Sequence, residues 1–429
     1  MFLTDLDSRA AIKGSRDPLG LVPLWSQFGR HVVGNLTTVT GSVRGFTTTM
    51  LGYHFAREVR DRDGSKGESP LALFLKFEQL AAYCRYYVAK DGAFRGIERV
   101  KKSLSESPSV TLSARQEYQI LSNQKVYGLW GLFSVPSRAS GLLDRNETVL
   151  TAPAREFVER EYLMKLSKDG FKDGREITDL LRQPRADVHL VGKHTGLARA
   201  IARLHAPDLS AAEREFYRDS LAWGGASDET MGCQRQLSEL MGKLPEDLGF
   251  GRLELRALIK EAVRRGKDWS VLAGRLQRID VLEAVLIPAG AIFGLLQTRQ
   301  GQTLRSVSKE LSKWGPLDSV DPIAFQDLRA EVAEAFHEPA VGERWVRIAE
   351  GLAAGKYEAV LALLIEQNAH VMSTRNGSQP WIRLTEGRLD VRFRDETVQL
   401  PERSELAKRW VNNYFLNPLK EVVMTLAAA

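Results

Sequence analysis

The sequence predicts a mainly α, multi-domain helical protein with a small β-hairpin near its C-terminus. Apolar residues recur at helical spacing through most of the chain, and a single late stretch, Pro380–Arg394, alternates with the period of two that marks a hairpin. Breaks rich in Gly, Ser and Pro divide the 429 residues into four expected segments. These are an N-terminal helical domain over 1–104, a compact domain over 105–170, a helical domain with a basic helix over 171–375, and the hairpin plus a final helix over 376–429. Apolar residues make up 43% and charged residues 27% of the chain, the balance of a globular protein and not of a disordered or collagenous one. With 60 Lys and Arg against 54 Asp and Glu the net charge is only +6, which permits contact with nucleic acid without requiring it.

Near the start, the Thr-rich run from Asn35 to Thr49 offers Asn35 and Thr37 as helix starts, with Gly41 and Ser42 allowing close backbone packing. The polar stretch Asp61–Pro70 reads as an exposed loop. After it, Leu71, Phe74, Leu75, Leu80, Tyr83 and Tyr87 keep helical spacing, so the aromatic stripe of Phe74, Phe77, Tyr83, Tyr86 and Tyr87 is expected as a core face, although aromatics can also stack bases. Arg95, Arg99, Lys101 and Lys102 precede the break Ser103–Ser109 and suit a helix C-terminus.

The segment Ser109–Leu166 carries the most specific pattern. Ser113 with Gln116 fits a capping box that opens a first helix, Lys125–Phe133 a short second one, and Ser134 with Pro136 in its first turn a third. The stretch Glu147–Thr151 then reads as a short strand, and Thr151 as the cap of the next helix. This order resembles a winged helix-turn-helix. The resemblance implies that the third helix enters a major groove, with Arg138 reaching a guanine edge or a phosphate, or that the same scaffold serves protein contacts.

Two further basic surfaces stand out. Between Arg252 and Arg278 lie eight basic and three acidic residues, and Arg252, Arg256, Lys260 and Arg264 recur at i+4, as a stripe able to follow a phosphate backbone or as a solvated helix face. In the hairpin, Ile382, Leu384, Leu389, Val391 and Phe393 make one face, leaving Arg383, Arg388, Arg392 and Arg394 on the other with Asp390 as the only acid. Such a ribbon can lie along a DNA groove or block edge-to-edge pairing of strands.

The usual catalytic signatures are missing. No lysine follows Asp or Glu by two positions, no phosphate-binding GxxxxGK[ST] loop occurs, and HExxH, GxSxG and CxxC motifs are lacking. His189, His194 and His205 do not share one helical face, and His54 with Arg57 matches only one fragment of a tyrosine-recombinase site. Cys84 and Cys233 are too few for a disulfide framework, which suits a reducing cytoplasm. The N-terminus lacks the pattern of a signal peptide. The apolar run Val281–Leu296, interrupted by Glu283 and Pro288, is expected as a buried helix pair and not a membrane span.

Two blocks, Asp17–Ala56 and the C-terminal RNGSQPWIRLTEGRLDVRF with RWVNNYFLNPLKEV, resemble stretches of bacterial proteins encoded in phage-defence islands beside ATPases and nucleases. That resemblance implies a non-catalytic subunit of a multi-protein complex. The expectation is therefore a cytoplasmic, cofactor-free subunit that binds double-stranded DNA through Arg138, Arg252, Arg256, Lys260, Arg264, Arg383, Arg388 and Arg392 for a partner ATPase or nuclease. The alternatives are a protein–protein adaptor without DNA contact and a nuclease with divergent metal ligands. The cluster of Trp410, Tyr414, Phe415, Leu416 and Leu419 is read as a core clasp ahead of an interface anchor.

Overall fold

The computed structural model describes residues 17–64, 67–245, 250–375 and 379–428. It is mainly helical, and its strands form two small antiparallel two-stranded sheets among the described residues. Two compact units interleave along the chain. The first joins the residues up to Val32 with those from Asp247 to Tyr414, and the second joins Val33–Glu246 with the residues from Phe415 onward. The boundary read at 170/171 falls inside the second unit, where β1 (Ser109–Leu112) pairs with β2 (Ala186–His189).

The second unit is built round the helix Val43–Asp63. Its start is Ser42, whose hydroxyl accepts the Gly45 N–H at 3.1 Å, and not Asn35 or Thr37. The helix is buried from Val43 to Ala56, so its threonines need partners within it. Thr48 and Thr49 donate to the carbonyls of Arg44 and Gly45 one turn back, at 2.9 and 2.8 Å. Gly45 and Gly52 let Phe133 and Phe74 lie against the backbone, since a Cβ would come within 2.5 and 2.7 Å of those rings.

Arg44 is buried and fully engaged. It reaches the carbonyls of Ala206 and Asp208 and the carboxylate of Glu213, 2.5 Å away. Glu213 also accepts from the Tyr162 hydroxyl at 3.0 Å, and Tyr162 meets Tyr217, which in turn meets Thr47.

The neighbouring helix Pro70–Ala89 starts from Ser69, whose hydroxyl accepts the Ala72 N–H. Phe74, Phe77 and Tyr83 are buried and pack as core, whereas Tyr86 and Tyr87 of the same stripe are half-buried. Three charges sit among them. Lys76 donates to Glu68 and to the carbonyls of Leu181 and Gln183, and Arg85 pairs with Asp91. Glu78 accepts only neutral donors, the Leu129 N–H at 2.8 Å and the Gln124 amide at 2.7 Å, and burial pushes its carboxyl up to about 7.

The segment that resembled a winged helix is organised differently. Ser113 caps no helix; its N–H and C=O both bond the side-chain amide of Gln79, continuing the line of β1. The expected second and third helices are replaced by the four-residue turn Gln124–Tyr127 and one helix, Leu129–Ala139, with Pro136 inside it. The expected strand is reduced to a single bridge between Leu143 and Leu150. Thr151 precedes the next helix as read, but its hydroxyl donates to Gly141 C=O at 2.7 Å instead of capping. A proline fits a first turn and is costly in a helix interior, and here the burial of Phe133, Ser134 and Ser137 beside it offsets that cost and holds the continuous helix.

The first unit is built round a 28-residue helix, Ser270–Gln297, a single helix where a pair was expected. Pro288 removes one backbone donor, at a cost of about 3 kcal/mol in a helix interior, and burial of Leu286, Ile287 and Ala289 around it outweighs that cost. The helix is long and apolar enough to cross a membrane, but 78% of its most apolar window is buried. Glu283 is fully buried within it. Its carboxylate accepts the N–H groups of Val411 and Asn412 at 3.0 and 3.2 Å, and the Asn412 amide and Tyr414 hydroxyl at 2.7 Å each. Trp410 packs at a tilt against Tyr414, which meets Trp25 edge-on, so this end of the aromatic cluster is a clasp within the unit.

Replacing Glu283 by Ala strands four donors, and the denaturant midpoint should fall by the equivalent of about 3 kcal/mol or more. Glu78 gives a pH test. In the unfolded chain its carboxyl ionises near 4.5, whereas in the native chain it holds its proton to about 7, so native stability falls as pH rises through that window. Glu78→Gln lacks that titration, and its stability relative to the parent should rise between pH 4.5 and 7 and then level off.

Candidate nucleic-acid interface

The hairpin is the expected surface that the fold presents most completely. β3 (Ile382–Thr385) and β4 (Arg388–Val391) pair in the register Ile382↔Val391, Arg383↔Asp390, Leu384↔Leu389 and Thr385↔Arg388. Directly opposed residues share a face, so Arg383, Arg388 and Asp390 stand on one side. Arg392, two residues beyond Asp390 and opposite Trp381, continues it. Glu386 and Gly387 both have positive φ, 51° and 75°, as a tight two-residue hairpin turn requires. Ile382, Leu389 and Val391 are buried as expected, whereas Leu384 is 43% exposed near the tip.

The ribbon is held at several points. Leu389 exchanges backbone hydrogen bonds with Gly301 and Gln302 at 2.8 Å each, and the Gln300 side chain accepts from the Val391 N–H. The buried Asn368 side chain accepts from Trp381 N–H at 2.9 Å. Arg383, Arg388, Arg392 and Arg394 are all exposed, and among the described residues none of them is in an ion pair. Arg383 donates to the Gln379 side chain and Arg388 to Gly301 C=O at 3.0 Å, leaving guanidinium donors free on both.

The basic helix Arg252–Arg264 is altered by its acids. Arg252 is only 2% exposed, and its Nε donates to Asp280 at 2.5 Å, so it is an internal ion pair and not part of an exposed stripe. Arg256 shares the same carboxylate at 3.0 Å. Arg264 grips Glu261 with two nitrogens at 2.7 Å, and these bonds, with that of Arg265, hold the Glu261 carboxyl down to about 2. Lys260 is exposed and in no ion pair among the described residues. An i+4 series turns by about 40° per step, so four members sweep about 120° round the helix. That rotation carries Arg252 into the unit while Arg264 stays in solvent.

Arg138 lies in the second unit, half-buried at the end of Leu129–Ala139, with its Nε donating to Asp144 C=O at 3.2 Å. It is not on a recognition helix that begins at Ser134. Arg99, Lys101 and Lys102 fall within the first six residues of the helix Ile97–Glu106, and its last turn carries no basic residue. Arg99 and Lys102 line an open polar groove of about 840 Å³ beside β1.

The histidines read as structural pack that way. His205 is buried with its Nδ1 on Ile201 C=O, and burial pushes it down to about 3. His194 Nδ1 accepts the His189 N–H at 2.9 Å, and His54 is buried and pushed down to about 4, while Arg57 pairs with Asp61. Among the described residues no three His, Cys, Asp or Glu side chains assemble as metal ligands.

Sequence reasoning missed Asp280 as the partner of two arginines, because that acid lies on the next helix. It also missed Glu78 and Arg85, the two ionisable residues of the helix Pro70–Ala89 that line a cavity in the second unit, although charges inside an apolar helical run were a visible signal. Replacing Asp280 by Ala leaves the Arg252 charge buried and unpaired and should cost about 3 kcal/mol in chemical denaturation, whereas Lys260→Ala should change stability by less than about 0.5 kcal/mol. Compared with known protein families, curated proteins and solved structures, the chain matches none.

Proposed function

We propose that this chain is a non-catalytic subunit that binds duplex DNA by its phosphates, with the arginine face of the C-terminal ribbon as the main contact. The observation that carries this reading is the set of exposed arginines, Arg383, Arg388 and Arg392 on a ribbon fixed at both strands and Arg394 just beyond it, in no ion pair among the described residues. Guanidinium forks suit phosphate oxygens, and each contact releases a counterion, which makes binding steeply salt-dependent. Lys260 adds charge within the same unit, while Arg252 is taken out of the contact set by Asp280. A partner supplies ATP hydrolysis or cleavage in this reading, and the setting in phage defence rests on the resemblance of the two sequence blocks alone.

A protein-adaptor reading is favoured by one observation: the exposed side of the basic helix also carries Leu253 and Val263, at 68% and 57% exposure. In that case a Leu253→Glu/Val263→Glu variant disrupts assembly and the arginines are dispensable.

The deciding measurement is a gel shift of duplex DNA across a salt series. Replacing Arg383, Arg388 and Arg392 together by Ala should flatten the slope of log K against log salt by about 2.7, and replacing them by Glu should abolish the shift. An unchanged shift in the Glu variant, or no shift by the parent chain at low salt, overturns the proposal.

A further inference from the structure

The second unit has a partly open cavity of about 140 Å³ beside the buried helix Pro70–Ala89. Its walls are Gly45, Ala81, Ala82, Ile120, Leu129 and Phe133. The volume is close to the roughly 150 Å³ of an apolar cavity that accepts a benzene ring. Three ionisable residues line it: Glu78 and Arg85, seven residues and therefore about two helical turns apart on one side of the helix, and the exposed Arg95.

Arg95 is exposed and bonds no atom of Glu78, and the two charges on the helix are not equivalent. Arg85 is matched, with its guanidinium on the Asp91 carboxylate at 2.7 Å and on Ala93 C=O. Glu78 is 5% exposed and has no cation partner among the described residues. Its two donors, the Leu129 N–H and the Gln124 amide, are neutral and leave carboxylate lone pairs unused. Accepting from Leu129 at the start of a helix explains an acceptor at this position but not a charge, since a neutral amide oxygen would serve. An unmatched buried carboxyl is costly, and burial raises its proton affinity to suit. A cation brought into the cavity removes that cost.

We propose that this cavity is a binding site for a small apolar monoamine, whose ammonium pairs with Glu78 and whose ring or short alkyl body lies over Ala81 and Ala82. Arg85 at the far end disfavours a second ammonium, so diamines are excluded. The site belongs to residues of the second unit and does not rest on the nucleic-acid reading, whose test uses the ribbon of the first.

The experiment is calorimetric titration of the full chain with four probes: benzylamine, benzyl alcohol, benzoate and 1,4-diaminobutane. Saturable one-to-one binding of benzylamine is expected, at least tenfold tighter than benzyl alcohol, with benzoate and the diamine silent. Glu78→Gln should remove the preference for the amine, and Ala82→Leu, which fills the cavity, should block benzylamine. Equal binding of amine and alcohol by the parent chain overturns the proposal, as does an absence of saturable benzylamine binding or amine binding unchanged in Glu78→Gln. The probe series on the parent chain decides the matter even if Ala82→Leu does not fold.

Discussion

Glu283 is a carboxylate at the centre of an apolar helix, and the unit round that helix depends on its being matched. Two backbone N–H groups, an amide and a phenol converge on it, all from residues Val411 to Tyr414. One turn earlier on the same helix, Asp280 collects Arg252 and Arg256. Past its C-terminal end, residues 300–302 receive the hairpin strand. The long helix thus acts as a rail on which acids at chosen heights fix the segments that follow and precede it. Because a buried unpaired carboxylate is so unfavourable, these contacts select one arrangement among the many that apolar packing alone would tolerate.

The second unit uses the same logic with the sign reversed. Arg44 is a buried cation, and Glu213 with the carbonyls of Ala206 and Asp208 satisfies it, as Glu68 and Asp91 satisfy the buried Lys76 and Arg85. Tyr162, Tyr217 and Thr47 complete the network, and π-helical turns at Val158–Leu163 and Arg218–Ala222 bring the two tyrosines to face one another. Glu78 is the exception in this unit, a buried acid met by neutral groups only.

The helical class, the core role of Phe74, Phe77 and Tyr83, and the late hairpin were legible because each depends on local periodicity. What depended on distant partners was not. β1 looked like a helix start because its strand partner lies more than seventy positions on, and because the Gln79 amide that occupies Ser113 lies on another helix. The basic stripe was legible as a charge pattern, but whether a guanidinium faces water or an acid turns on Asp280, which spacing within one helix cannot show. The arginine face of the ribbon survived because both of its strands lie within fifteen residues, and alternation alone sets which side each residue takes. For the cavity, the residue types were in view, but their meaning lay in which of the helix's two charges there, Glu78 or Arg85, had found a counter-charge.

The interleaving of the two units has a consequence for synthesis on the ribosome. The helix Leu21–Arg30 emerges first, yet the helices it packs on, Ser270–Gln297 and Arg329–Phe336, are encoded beyond the whole stretch Val33–Glu246. At roughly 5–20 residues per second, the 267 residues from Arg30 to the end of Ser270–Gln297 leave the helix without even its first partner for about 13 to 53 s. Its apolar face, with Leu24, Trp25 and Phe28, must be shielded or tolerated in that interval. Nascent-chain exposure, and not only final stability, is thus a pressure on what residues this short helix can carry.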